Sequence, residues 1–286
     1  MSRNVSSFLS PRALAQAIGV SESSVKRWAD DGKIRIQRTS GGHRRIPVSE
    51  AARFVREQGL VLVEPELLGL VIPDELQQAE DPIEAALRRG SGSELRNLLA
   101  QRYLSGETLA ALGDGPLASA MAHIGELWTE DPTGIFVEHR ASSAARDAIA
   151  DLARLVPEPP PGAPWAVGGS IAGDTGQLGS MMAAVVLRGE GMQTMDLGAN
   201  TPAFTLVQAA KETGAKLVWL SITHLPNRGA THHLRTELDT LVDNLEGTQV
   251  VIGGTGLRDR GPVEGAKLIL SMGELAAFAA GLVSST

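Results

Sequence analysis

The sequence predicts a multidomain α/β protein: an N-terminal winged helix-turn-helix, a central four-helix bundle and a C-terminal flavodoxin-like, doubly wound parallel sheet. Three observations predict it. A basic segment with two capped helices and a Gly-Gly turn opens the chain, and a run of helical patterns of period 3.6 follows. After a proline-rich stretch, strands and helices alternate.

Ser10 stands as N-cap with Pro11 at the first helical position, and Leu14, Ala15 and Ile18 share one face. Gly19 stops that helix. Ser21 caps a second one running to about Asp30, with Val25 and Trp28 facing inward. Lys33–Arg38 and Arg44–Ile46 flank the turn Thr39-Ser-Gly-Gly42 and read as a hairpin. A third helix starts at Ser49, which completes a winged domain over residues 1–58. Residues 59–73 are apolar but broken by prolines, and read as a connector. Helical patterns then cover 83–89, 94–104, 108–128 with a soft spot at Gly113-Asp-Gly-Pro116, and 135–155, giving a bundle over 74–156. Pro157–Ala163 and Pro164 form a semi-rigid linker. Five strands, at 165–171, 193–197, 216–223, 248–252 and 266–270, alternate with helices and place a doubly wound domain at 165–286, whose ligand should sit at the carboxyl ends of the strands. No internal repeat is present.

The net charge of −7 over 286 residues hides a division. Residues 1–58 hold 11 Lys and Arg against 5 Asp and Glu, a net of +6, and the remainder holds 15 against 28, a net of −13. That asymmetry gives the N-terminal module alone a polyanionic partner. The absence of cysteine excludes disulfides, thiolate metal sites, iron–sulfur clusters and a cysteine nucleophile. No apolar run approaches the ~18 residues that span a bilayer, and the N-terminus lacks a signal-peptide core, so a soluble cytoplasmic protein without membrane partners is expected. Aromatic residues are only 3%, so the cores should be aliphatic.

Cationic and hydrogen-bonding side chains gather on the second helix and the wing: Ser23, Ser24, Lys26, Arg27, Arg35, Arg38, His43, Arg44 and Arg45. They can neutralise several phosphates together, and the two serines can reach base edges or phosphates. The stretch Ala13 to Trp28, with Gly41-Gly-His-Arg-Arg-Ile46, resembles the MerR family of winged-helix transcription regulators. The resemblance implies dimeric binding to double-stranded operator DNA. MerR proteins often dimerise through a long coiled coil, and no sustained heptad follows here. Any homo-oligomer, dimer or tetramer, must therefore form through the other domains.

Three small-residue clusters fall at the predicted strand ends: Gly173-Asp-Thr-Gly-Gln-Leu-Gly179, Ser221-Ile-Thr223 and Gly253-Gly254. Singly each reads equally as a tight turn or a phosphate cradle. Their separations, 41 residues from Gly179 to Ser221 and 29 from Thr223 to Gly253, resemble the cobalamin-binding domain with its Asp-x-His-x-x-Gly, Ser-x-Leu and Gly-Gly motifs. Asp174, Gly179, Ser221, Gly253 and Gly254 match, Thr223 replaces Leu, and the loop Asp196 to Pro202 is also similar. In that family the corrinoid's nucleotide tail is buried between sheet and helices, and the motif's His is the lower axial ligand, held by its Asp. Here Gly176 occupies the His position, and Gln177 beside it is a poor cobalt ligand. His224 is a candidate by residue type but not by position.

Trp128 and Glu138-His139 enclose nine residues. This resembles the Trp-x9-Glu-His motif of CarH/LitR photoreceptors, MerR-type regulators with a helical bundle and a cobalamin domain. The resemblance implies that Trp128 lies against an adenosyl group and that His139 becomes a cobalt ligand after light breaks the cobalt–carbon bond. A buried bundle histidine bonded to Glu138, beside a core tryptophan, would give the same spacing.

The remaining constellations carry less. His232 and His233 point about 100° apart on a helix and cannot chelate one metal. Glu237 and Asp239 read as a solvated face, Glu126, Glu130 and Asp131 as surface, and Ser221 has no triad partners. Nothing demands an enzyme. The expectation is a DNA-binding, light- or ligand-responsive repressor whose oligomeric state and DNA affinity are set by adenosylcobalamin bound without the usual lower His. Two alternatives stay open. The degenerate domain can sense another small molecule or an antirepressor protein, or, less in keeping with a winged helix, the chain can be a corrinoid-carrying methyltransferase subunit.

Overall fold

The structure is a computed structural model that describes residues 8–127, 133–224, 230–257 and 264–284. It divides into two compact units, one of residues 1–108 and 115–157, the other of 109–114 and 158–286. The winged domain and the bundle thus form one unit, and a short piece of the bundle's third helical segment belongs with the sheet.

In the first unit, α1 (Pro11–Ala17) starts where the Ser10 hydroxyl accepts from Ala13 N at 3.1 Å, and α2 (Glu22–Asp30) starts where Ser21 does the same for Ser24 N. The wing is β2 (Gln37–Arg38) against β3 (Arg44–Pro47), with Gly42 at φ 78° in its turn. A further strand, β1 (Phe8–Leu9), pairs with the other edge of β3. Sequence reading missed it because a two-residue strand shows no alternation. Leu14, Val25, Ile34, Ile46, Phe54 and Val55 form the core, and half-buried Trp28 tilts against Phe54 with ring centroids 5.0 Å apart.

α3 (Val48–Glu57) ties the winged domain to the bundle. Arg56 donates to the carbonyls of Tyr103 and, at 2.8 Å, Glu107, and its guanidinium lies 4.0 Å from the Tyr103 ring. Ala52, Leu70, Ala100 and Leu104 pack beside it. The connector contains a 3-10 turn at Pro65–Leu68 and α4 (Asp74–Gln77). The bundle follows as α5 (Pro82–Arg89), α6 (Gly92–Leu104), α7 (Leu109–Leu112), α8 (Ala118–Leu127) and α9 (Thr133–Ala153). The soft spot is a π-helical turn over Gly113–Leu117, where Pro116 removes a backbone donor.

The second unit carries a parallel sheet of β4 (Trp165–Ser170), β5 (Gln193–Asp196), β6 (Leu217–Ser221), β7 (Gln249–Gly253) and β8 (Lys267–Ile269), ordered β5-β4-β6-β7-β8. α11 (Ala203–Thr213) and α12 (Ala230–Asn244) belong to one face, where Leu206, Leu238, Val218, Leu220 and Ile252 are buried together. α10 (Leu178–Gly189) and α13 (Met272–Ser284) belong to the other, with Leu187, Leu275, Leu217, Trp219 and Val251. The order reverses between the neighbours of β4, so a crevice opens at the carboxyl ends of β4 and β6. Residues 109–114 pack on this layer: a β-carbon on Gly189 would lie 2.6 Å from the Leu109 side chain, and Asp114 accepts from Met272 N (2.7 Å) and Gly273 N (2.9 Å), capping α13.

Candidate functional sites: a cationic wing and a strand-end crevice

α2 packs Val25 and Trp28 inward, which leaves Ser23, Lys26 and Arg27 exposed on its outer face. The Ser21 hydroxyl is bonded to the hydroxyls of both Ser23 (2.8 Å) and half-buried Ser24 (2.9 Å), so the helix start is a fixed cluster of donors. Lys26 pairs with Glu22 at 2.7 Å and holds that carboxyl below its ordinary pKa. On the wing, Arg35, Arg38, His43 and Arg45 are exposed. Arg38 and Arg44 are direct cross-strand partners, a like-charge pairing that a polyanion relieves. Arg44 differs from the others: it is half-buried and reaches back to Asp30 at the end of α2 (2.6 Å), so it fixes the wing to the helix.

Glu50 on α3 supports this surface from beneath. Buried at 6% exposure, it accepts from Arg35 N at 2.8 Å and binds Arg53 through both oxygens. Burial pushes its pKa up, but the Arg53 hydrogen bonds, the Arg35 amide and the two positive charges outweigh that and leave it below the ordinary carboxylate value.

In the second unit, Asp174 lies fully buried at the crevice. Its Oδ1 accepts from Gly176 N at 2.9 Å; its Oδ2 accepts from Thr223 N at 2.5 Å and His224 N at 3.1 Å. One carboxylate thus joins the loop after β4 to the loop after β6. Asn200, left-handed at φ 53°, adds the loop after β5: its side chain accepts from Gly173 N (2.7 Å) and its amide donates to the Asp174 carbonyl (2.8 Å). Sequence reasoning noted that loop without singling out Asn200. A residue that is neither Gly nor in a tight turn dipeptide gives little sign of positive φ.

Position 176 is closed to a larger side chain, because a β-carbon there would lie 2.9 Å from both Cβ and Oγ1 of Thr223. Gln177 sits at the start of α10 without a capping bond. Gly179 leaves room for the Ser221 hydroxyl, which a β-carbon would approach to 2.7 Å. Gly253 and Gly254 admit the backbone carbonyls of Ile269 and Ile222, at 2.5 and 2.3 Å from where their β-carbons would be. Ser170 is the register partner of Ser221, and its fully buried hydroxyl has no hydrogen-bond partner among the described residues. Behind them runs a chain that sequence reasoning missed: Trp219 Nε1 donates to Ser180 Oγ (2.9 Å), which donates to Asp196 (2.7 Å). Burial raises the Asp196 pKa against the lowering effect of Ser180 and the Gly198 amide.

On α9 of the first unit, His139 is 76% exposed and 3.5 Å from Glu138, which accepts from Ser142 at 2.7 Å. A buried bundle histidine is thereby excluded. Ile135 and Phe136 are exposed on the same turns, with Arg140 over the Phe136 ring at 5.0 Å. Trp128 lies outside the described residues. Glu237, read from sequence as solvated, instead caps α11 by accepting from Ala203 N at 2.6 Å, a partner 34 residues away that local pattern does not show. Among the described residues no group of three or more His, Asp or Glu is placed to hold a metal, and no helix is long and apolar enough to cross a membrane.

Three family models match the chain: a helix-turn-helix domain over residues 8–59 and B12 binding domains over 79–152 and 164–261. No curated protein matches it significantly. Among solved structures, the monomethylamine corrinoid protein of Methanosarcina barkeri superposes with a TM-score of 0.56 at 17% identity, over 72% of this chain and 99% of that one. That likeness shows the fold. The methanol:cobalamin methyltransferase complex MtaBC of the same organism (TM-score 0.37, 18% identity, 76% and 83% covered) and a cobalamin-binding protein of Desulfitobacterium hafniense DCB-2 (0.32, 17%, 69% and 95%) are more distant. A DNA-binding domain ahead of B12 domains belongs to a regulator rather than an enzyme. The chain is therefore a helix-turn-helix domain joined to two B12-binding domains, the domain content of a CarH-like, cobalamin-binding regulator.

Proposed function

We propose that this protein is a MerR-type repressor that binds double-stranded operator DNA as a homo-oligomer, and that adenosylcobalamin and light set its assembly. The observation that carries the reading is the presence, in one chain, of an exposed arginine wing and a strand-end crevice with a B12 domain's motifs. The crevice suits a broad, amide-rimmed ligand. Gly176, Thr223, His224, Gly254 and Thr255 form an open or half-open surface, and the buried Ser170 hydroxyl, without a partner among the described residues, offers a donor beside Ser221. The cofactor, when bound, supplies a cobalt–carbon bond that light can break.

The chain's own residues do the rest. Asp174 and Asn200 hold three loops in one arrangement, so a ligand across the strand ends meets a fixed surface. Within the first unit, Phe136 and His139 are exposed on α9. Arg56 fastens the winged domain to α6, so a change in the bundle's partners alters how two wings are presented to DNA. A ligand that binds one assembly better than another shifts DNA affinity by the same free energy.

The test is to mix the full chain with adenosylcobalamin in the dark, desalt it, and record the retained corrinoid spectrum and DNA binding before and after illumination. Retention, with operator binding that changes on illumination, supports the reading; retention without that change removes light as the signal. The closure of position 176 by Thr223 favours a second reading, in which the domain responds to another ligand or a protein and keeps no corrinoid. Loss of all corrinoid on desalting would establish that alternative.

A further inference from the structure

The loop after β4 would offer a ligand lying across the strand ends no side-chain donor at position 176. Gly176 carries no side chain, and Thr223 occupies the space a histidine there would need. The Asp174 carboxylate is committed to three backbone amides rather than to an imidazole. Those same bonds bring the backbone of a histidine close to position 176. Gly176 N and His224 N are held by the two oxygens of one buried carboxylate, so residue 224 stands beside the position that lacks its ligand.

His224 is exposed, and among the described residues the fold uses only its backbone amide. Among the described side chains of this unit the other imidazole is His232, exposed on the α12 helix and bonded through its carbonyl to Thr236. From this placement we infer that His224 is the lower axial ligand of the bound corrinoid. The imidazole has moved from the loop after β4 to the loop after β6, and Thr223 has filled the vacated space. A neutral imidazole nitrogen donates its lone pair to cobalt and displaces the cofactor's nucleotide base or a water. Asp174 acts as a positioning residue, setting the backbone of residue 224 rather than its ring.

The inference rests on the corrinoid reading, and its test separates the two. The full chain is loaded with cob(II)alamin in the dark, desalted, and examined by electron paramagnetic resonance with ordinary histidine and with histidine carrying the heavy nitrogen isotope. The expected result is a nitrogen splitting that changes from a triplet to a doublet on labelling. It is lost in His224→Ala, kept in His232→Ala, and restored to His224→Ala by added imidazole. His224→Ala leaves the amide bond to Asp174 in place, and an unchanged circular dichroism spectrum checks that it folds. A splitting indifferent to the label means that the cofactor's own base remains on cobalt and overturns the inference. So does a label-sensitive splitting that survives in His224→Ala, including one lost instead in His139→Ala. Failure of the wild-type chain to retain any corrinoid overturns the corrinoid reading itself.

Discussion

Gly168 on β4 and Trp219 on β6 are register partners, and the Trp219 indole fills the space where a side chain on Gly168 would stand. A β-carbon there would lie 2.0 Å from the indole. Trp219 is 2% exposed and anchored through Nε1 to Ser180, so it cannot swing away cheaply. Gly168→Ala should destabilise the sheet unit by about 3 kcal/mol or more, the range of severe overpacking. Urea unfolding followed by Trp fluorescence measures it, and a loss below about 1 kcal/mol would mean that the indole has another place to go.

Asp174→Asn replaces an oxygen that accepts amide hydrogens with an NH2 group facing them. At a fully buried site with three such bonds the cost should reach about 2–4 kcal/mol. Hydrogen exchange at the Gly176, Thr223 and His224 amides should quicken together. Faster exchange at only one of them would show that the loops are not joined through this carboxylate.

The wing arginines should separate by role. Arg45→Ala and Arg38→Ala each remove an exposed charge and should lower the salt dependence of DNA binding by about one unit, with little change in folding. Arg44→Ala removes the bond to Asp30 as well, and should lower the stability of the winged domain in the absence of DNA. Binding isotherms at several salt concentrations, with thermal melts, distinguish them. Equal stability across all three variants would refute the positioning role of Arg44.

Glu50 makes folding sensitive to acid. Its pKa is lowered in the folded state, so its contribution is complete above the unfolded carboxylate's pKa and is lost as pH falls through the folded value. Glu50→Gln should cost about 2 kcal/mol at neutral pH, where Arg53 loses a charged partner in a nearly buried setting. The gap between variant and wild type should close in acid. Melting curves that stay equally far apart from neutral pH down to the acid limit would exclude Glu50 as the source.

How much of this was legible depended on sequence distance. Caps such as Ser10 and Ser21 act over three residues, and strands such as Leu217–Ser221 carry continuous apolar runs, so these elements follow from local pattern. The crevice was legible through the spacing of Asp174, Ser221 and Gly253. The identity of what fills each space was not, because Gly176 meets Thr223 and Gly168 meets Trp219 only once strands about 50 residues apart are aligned. The part played by Asn200 and the cap supplied by Glu237 are hidden for the same reason.

The π-helical turn at Gly113–Leu117 gives the molecule a boundary that differs from its most visible one. The prolines after residue 156 invite a cut there, yet the sheet unit also owns Leu109–Asp114. A fragment beginning at Glu158 would lack Leu109 over Gly189 and would leave the first amides of α13 without the Asp114 carboxylate. The sheet unit is therefore an interrupted domain, completed by a segment that the chain lays down before the long α9 helix, and it should gain its full stability only when both pieces have been synthesised.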